Sequence, residues 1–244
     1  MTEQGIERSL SPSRTLGVSQ TDGRIEIRFR GVPILTHSKA KPLIETGSGE
    51  PRVRMSHGNY KINPGLRSQR PLERCAIVNA DDRNVTLTLS GTAEAVTVTL
   101  RVDRDIVRGT VRSEPGHAHN RTFLHVSGTR NEPVYGGGEQ FSRLNLRGFR
   151  LPLWTSEQGV GRAHNLTTWL ANIHSDAGGY WYSTYFPQPT YVTPRGRFVH
   201  LSSDSYAMFD FRPSNEEILE VWQSEFDFVI GVEDDLERSV SRLS

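Results

Sequence analysis

The chain has 244 residues, enough for one large domain or two small ones. Its 29 Lys plus Arg nearly balance 28 Asp plus Glu, leaving a net charge of +1. A nucleic-acid binder carries a clustered basic excess, whereas the arginines here are scattered among acidic neighbours; this argues against nucleic acid and against a polybasic membrane anchor. A single cysteine, Cys75, rules out an internal disulfide and a cysteine-based zinc site.

The first fifteen residues, MTEQGIERSLSPSRT, are polar and lack the apolar stretch of a secretory signal, so they read as a frayed tail. No run approaches ~18 consecutive apolar residues. A soluble, cytoplasmic protein with no membrane contact is the expectation. From residue 16 the dominant period is two. Ile25, Ile27 and Phe29 alternate with Arg24, Glu26, Arg28 and Arg30. Cys75 sits in the apolar run Cys75-Ala76-Ile77-Val78 and is expected to be a small buried core residue. Val85, Leu87 and Leu89 alternate with Thr86, Thr88 and Ser90; Val96, Val98, Leu100 and Val102 alternate with Thr97, Thr99 and Arg101. Residues two apart on a strand share a face, so each run buries one side and wets the other. That is the pattern of antiparallel sheets with one covered face.

Further strands are expected at Asp105–Arg112, Thr122–Ser127, Gly179–Phe186, Arg197–Ser202, Tyr206–Phe211, Ile218–Gln223 and Glu225–Ile230, separated by turn formers such as Pro115-Gly116 and Pro194-Arg195-Gly196. Many short strands at regular spacing predict an all-β fold, an antiparallel β-sandwich, over residues 16–232. Ile25, Ile27, Val85, Leu87, Val96, Val98 and Phe209 are its expected core. Helical periodicity is clear only at the end, where Asp234 or Asp235 caps a short helix through Leu236, Val240 and Leu243. An irregular stretch from about Asn131 to Asn172 interrupts the strand rhythm. It is too long for a simple connection and too rich in Trp, Phe, Leu and Tyr to be disordered, so it reads as a functional or interface loop.

His117, His119 and His125 suggest a metal cluster, but no Asp, Glu or Cys partner stands at ligand spacing; scattered surface histidines are expected, with no metal and no cofactor. Arg147 and Arg162 either clamp an anionic group or pair with a nearby carboxylate. Trp154, Trp169 and Trp181 either stack on sugar faces or pack in the core or at an interface.

Three motifs carry a family resemblance: GGGEQFSRLNLRG from Gly136, PLWTSEQGVGR from Pro152 and YFPQPTYVTP from Tyr185. Together they resemble the N-terminal domain of family 31 α-glycoside hydrolases, closest to the bacterial branch of α-glucosidases and sulfoquinovosidases. The resemblance covers about Thr15 to the C-terminus and is strongest from Val134 to Thr193. It implies a β-sandwich of the galactose-mutarotase-like type, followed by a (β/α)8 barrel that shares the α-glycoside substrate. In such enzymes an aspartate nucleophile and an aspartate acid/base, about 5–5.5 Å apart, work by the retaining mechanism. Both come from the barrel, which needs ~250 residues of alternating strand and helix. Here nearly the whole chain is strand and no barrel motif appears, so neither catalytic carboxylate is present. Residues 233–244 are expected to begin the linker helix toward the barrel, and the chain alone is expected to hydrolyse nothing.

By the same resemblance the loop Gly136–Ser142 reaches the barrel's active-site mouth, with Glu139 and Gln140 as substrate-binding residues at the rim. Phe141, Trp154, Glu157, Gln158 and Arg162 are the expected barrel-docking residues. Glu157 and Gln158 either line the pocket or satisfy backbone groups in a buried turn. The competing class is a free-standing carbohydrate-binding or interaction module. A mutarotase-like epimerase would also use a related sandwich, but its motifs are not seen.

Overall fold

The computed structural model describes residues 15–56, 58–116, 119–162 and 165–243. In chain order the strands are β1 (Leu16–Thr21), β2 (Arg24–Phe29), β3 (Val32–His37), β4 (Ile44–Gly49), β5 (Arg52–Ser56), β6 (Asn59–Asn63), β7 (Leu66–Pro71), β8 (Arg74–Ala80), β9 (Asn84–Ser90), β10 (Ala95–Asp103), β11 (Ile106–Ser113) and β12 (Arg121–Ser127). After them come β13 (Tyr135–Gly138), β14 (Arg150–Leu153), helix α1 (Leu166–Ser175), β15 (Pro187–Val192), β16 (Arg197–Ser202), β17 (Ala207–Asp210), β18 (Glu216–Val221), β19 (Phe226–Val232) and helix α2 (Leu236–Leu243).

A nine-stranded sheet runs β1-β2-β3-β12-β18-β17-β14, with β4 joining β12 to β7; an eight-stranded sheet runs β13-β15-β16-β19-β11-β10-β9-β8; β5 and β6 form a separate hairpin. The pairings within these sheets are antiparallel. The inner faces of the two large sheets meet in one apolar core, which makes the fold an antiparallel β-sandwich. The seven residues expected in the core are all buried. Each side chain of that kind stabilises the fold by about 1.5–3 kcal/mol on burial. On the other face Thr86 lies opposite Thr99 and Thr88 opposite Thr97, all half-buried, where β-branched polar residues suit a wet pleat.

Several local expectations are corrected. The irregular stretch contains strands β13 and β14 and most of the ten-residue helix α1, which runs on to Ser175. Asn165 caps that helix, its side chain accepting from the Thr168 amide at 2.9 Å. Gly179–Phe186 is turn and coil, and the strand begins instead at Pro187. Cys75 is half-buried rather than buried, because β8 is the end strand of its sheet. The polar strands β4 to β7 were not expected; β5 exposes nearly every residue and shows no alternation to read. The C-terminal helix is present and capped by Asp235, whose carboxylate accepts from the Arg238 amide at 2.9 Å. Its buried residue is Ser239, which donates to the Gly196 carbonyl at 2.7 Å, while Val240 and Leu243 are exposed. The expected tail over residues 1–14 lies outside the described residues, as does His117.

Candidate functional site

The two sheets end on β13 and β14, and the chain between and beyond these edge strands carries the candidate residues. Gly136, Gly137 and Gly138 all have positive φ, at 117°, 75° and 89°. The turn is also too crowded for side chains. A Cβ on Gly138 would stand 2.1 Å from the Phe186 carbonyl oxygen, and one on Gly137 would stand 2.1 Å from Leu151 Cδ2. Only glycine meets both demands cheaply. The turn presents Glu139 at its tip, exposed, with its amide donating to the Phe186 carbonyl at 3.0 Å. Gln140 folds back: its Nε2 donates to the Gly137 carbonyl at 3.2 Å, and its Oε1 is enclosed with no partner among the described residues.

Phe141, Gln158 and Arg162 come together. The Arg162 guanidinium covers the Phe141 ring, donates to the Ser183 carbonyl at 2.9 Å and donates to Gln158 Oε1. Glu157 accepts from the Tyr185 hydroxyl at 2.5 Å, which pushes the phenol above its usual range, and its amide donates to the Gly58 carbonyl at 2.9 Å in the β5–β6 hairpin. Glu157 and Gln158 thus brace their own loop. Trp154 packs edge-on to Tyr60 and at a tilt to Tyr206. With Asp176 and Tyr182 these rings line a cavity of about 60 Å³, room for a few waters and not for a sugar ring.

Helix α1 was missing from the sequence expectation and presents the most unusual surface. Leu166, Trp169, Leu170 and Ile173 follow the i, i+3, i+4, i+7 spacing of one helical face, and all four are exposed. Its buried side chain is Thr168. The signal was present in the sequence as an Asn cap followed by that spacing. Trp169 and Trp181 line an open groove of about 580 Å³ with Arg162. Trp181 also packs against Phe149 and Tyr182. Phe141, Leu144, Tyr185 and Phe186 extend the exposed apolar surface around the glycine turn.

The chain is 37% identical over 191 residues to the sulfoquinovosidase of Agrobacterium fabrum and 34% identical over 206 residues to that of Escherichia coli K12. A solved GH31 family sulfoquinovosidase from E. rectale, in complex with an aza-sugar inhibitor, superposes with a TM-score of 0.79 at 32% identity over 89% of this chain. The chain belongs to glycoside hydrolase family 31. It corresponds to the N-terminal part of such enzymes. The matches take in 78% and 84% of this chain but only 28% and 30% of the two curated relatives, and 32% of the solved structure. No protein-family model matches the chain.

The remaining polar candidates of this family 31 domain are spread apart. The expectation of surface histidines is corrected: His119 is buried and pairs with Glu94 at 3.1 Å, and the largely buried His125 stands between Glu45 and Glu216 at 3.5 and 3.6 Å. Among the described residues no three His, Cys, Asp or Glu side chains converge as metal ligands would. Of the two alternatives for Arg147, the structure places it in a salt bridge, 2.6 Å from Glu217. Among the described residues no helix is long and apolar enough to cross a membrane.

Proposed function

We propose that this domain is the N-terminal β-sandwich, of the galactose-mutarotase-like type, of a retaining α-glycoside hydrolase acting on sulfoquinovosides. Residues 16–232 form the sandwich and residues 233–244 lead toward a (β/α)8 barrel. The domain docks on that barrel and lends its substrate pocket a rim loop carrying Glu139. The observation that carries this reading is the outward apolar face of α1. Leu166 and Ile173 are 68% and 65% exposed, and most of the exposed large apolar side chains among the described residues fall between Phe141 and Phe186. A surface of that kind marks an interaction site. A free-standing carbohydrate-binding module would expose aromatic rings for sugar faces but has no use for the aliphatic Leu166, Leu170 and Ile173 beside Trp169, and a sandwich that packs on a barrel does. Phe141, Trp154, Glu157, Gln158 and Arg162 border the patch as the docking rim. The sulfoquinovoside substrate is carried over from the three relatives, each named a sulfoquinovosidase.

Glu139 suits the rim because the glycine turn holds it outward and its carboxylate has no partner among the described residues. It accepts hydrogen bonds from sugar hydroxyls. Gln140 braces the turn behind it and keeps a spare acceptor. The test is Glu139→Gln in the enzyme that contains both domain and barrel, assayed on an aryl α-sulfoquinovoside. Loss of one charge-assisted hydrogen bond is worth ~1.5–3 kcal/mol, which lowers kcat/KM by roughly one to two orders of magnitude. A wild-type rate removes Glu139 from the site. The isolated domain, without the barrel that supplies the family's nucleophile and acid/base, turns over neither that substrate nor an aryl α-glucoside.

A further inference from the structure

The loop that carries Glu139 is closed at its base with unusual care. The Leu146 amide donates to the Val134 carbonyl at 2.8 Å. The Asn145 side chain accepts from the Val134 amide at 3.1 Å and from the Arg147 amide at 3.0 Å. Arg147 then spends its whole guanidinium on this junction. Nε donates to the Glu132 carbonyl at 2.8 Å, Nη1 to the carbonyls of Pro213 and Glu216 at 3.0 and 3.2 Å, and Nη2 to Glu217 Oε1 at 2.6 Å.

Glu217 is fully buried. It comes from β18, in the nine-stranded sheet. Its second oxygen accepts from Arg197 Nη2 at 2.7 Å and from the Tyr191 hydroxyl at 3.4 Å, both in the eight-stranded sheet. Tyr191 in turn pairs in register with Gly136, the first residue of the glycine turn. One carboxylate therefore joins the two sheets and the base of the loop. For stability alone, apolar residues of similar volume would serve as well as a buried charge cluster. What the cluster adds is direction, because a planar guanidinium meets several fixed acceptors in one orientation only.

We infer that Arg147, held by the buried Glu217 and Asn145 at the loop base, is a positioning residue that fixes Glu139 relative to both sheets. This rests on the rim role proposed above. Arg147 touches no substrate and acts through the loop.

The test is a double-mutant cycle in the enzyme carrying domain and barrel, reading kcat/KM on an aryl α-sulfoquinovoside with thermal unfolding as a fold control. Arg147→Lys keeps the charge but loses the fork. Alone it lowers kcat/KM by about tenfold or more, as expected for a displaced polar group. In a Glu139→Gln background the same change costs less than about threefold, because there is no charged acceptor left to misplace. An equal loss in both backgrounds, or no loss from Arg147→Lys where Glu139→Gln is impaired, overturns the positioning role and leaves the rim reading standing. A Glu139→Gln enzyme at the wild-type rate overturns the rim reading itself. If Arg147→Lys does not fold, Asn145→Ala runs the same cycle. Asn145 is exposed, so its removal unpins the loop base without stranding a buried charge.

Discussion

The Arg162 guanidinium lies over the Phe141 ring, 4.6 Å from its centroid, across twenty residues of intervening chain. This contact ties the far side of the Glu139 loop to the segment before α1, as Arg147 ties its base. Arg162→Ala removes the cation–π contact, worth about 0.5–1 kcal/mol at an exposed site, and a charged hydrogen bond to the Ser183 carbonyl. Stability of the domain to urea should fall by about 2 kcal/mol. Arg162→Lys should recover little of it, since an ammonium neither stacks flat nor reaches two acceptors at once. An unchanged urea midpoint in Arg162→Ala would show the contact to be ornamental.

His125 sets a pH dependence. Burial opposes its charge, but the carboxylates of Glu216 and Glu45 on either side, 3.6 and 3.5 Å from the ring nitrogens, outweigh burial and raise the imidazolium to about 9. The folded value is raised above the unfolded one of about 6.5. The stabilisation is therefore fully present below about pH 6.5 and is lost as pH rises through about 9. A shift of this size corresponds to at most about 3 kcal/mol. Glu45 and Glu216 are lowered by the same contacts, so their share fades on acidification below the ordinary carboxylate range. Denaturation series between pH 6.5 and 8.5, below the range where the unfolded Cys75 thiol ionises, should show falling stability in the wild type and a flat profile in His125→Gln. Equal slopes in the two proteins would remove His125 as the cause.

Much of the sandwich was legible because one face of each central strand is dry. Val85, Leu87 and Leu89 announce both strand and core side by alternation alone. The glycine turn was legible as a motif. Three things were not. The β5–β6 hairpin has no buried face and hence no period. Helix α1 has a clear period, but it points its apolar face outward and sits between glycine-rich turns that read as loop. The Glu217 cluster pairs residues twenty and seventy positions apart, and nothing local in Glu216-Glu217 says which of the two carboxylates turns inward.

The Cys75 thiol packs against the core from the edge strand, and burial pushes it up to about 11. Against an ordinary value of 9.0, the thiolate is about 100-fold scarcer at pH 8. Iodoacetamide should modify the folded domain about 100-fold more slowly than the urea-unfolded chain. Comparable rates would mean that the edge strand opens readily or that the thiol is not desolvated.

Leu170→Gln with Ile173→Gln tests what the outward face of α1 is for. Both side chains are exposed, at 51% and 65%, and glutamine keeps good helix propensity, so the fold should change in stability by less than about 0.5 kcal/mol. The apolar stripe is then cut in half while the Asn165 cap stays intact. If the stripe covers nothing, the two changes are silent. If it docks on a barrel, the isolated wild-type domain should bind a hydrophobic dye and self-associate, and the variant should do both less. Binding to a separately produced barrel should weaken by about 2 kcal/mol or more, roughly thirtyfold, with Trp169→Ser costing at least as much, since buried aromatics dominate such interfaces. Unaltered barrel affinity in the double variant and in Trp169→Ser would place the docking surface elsewhere on the sandwich.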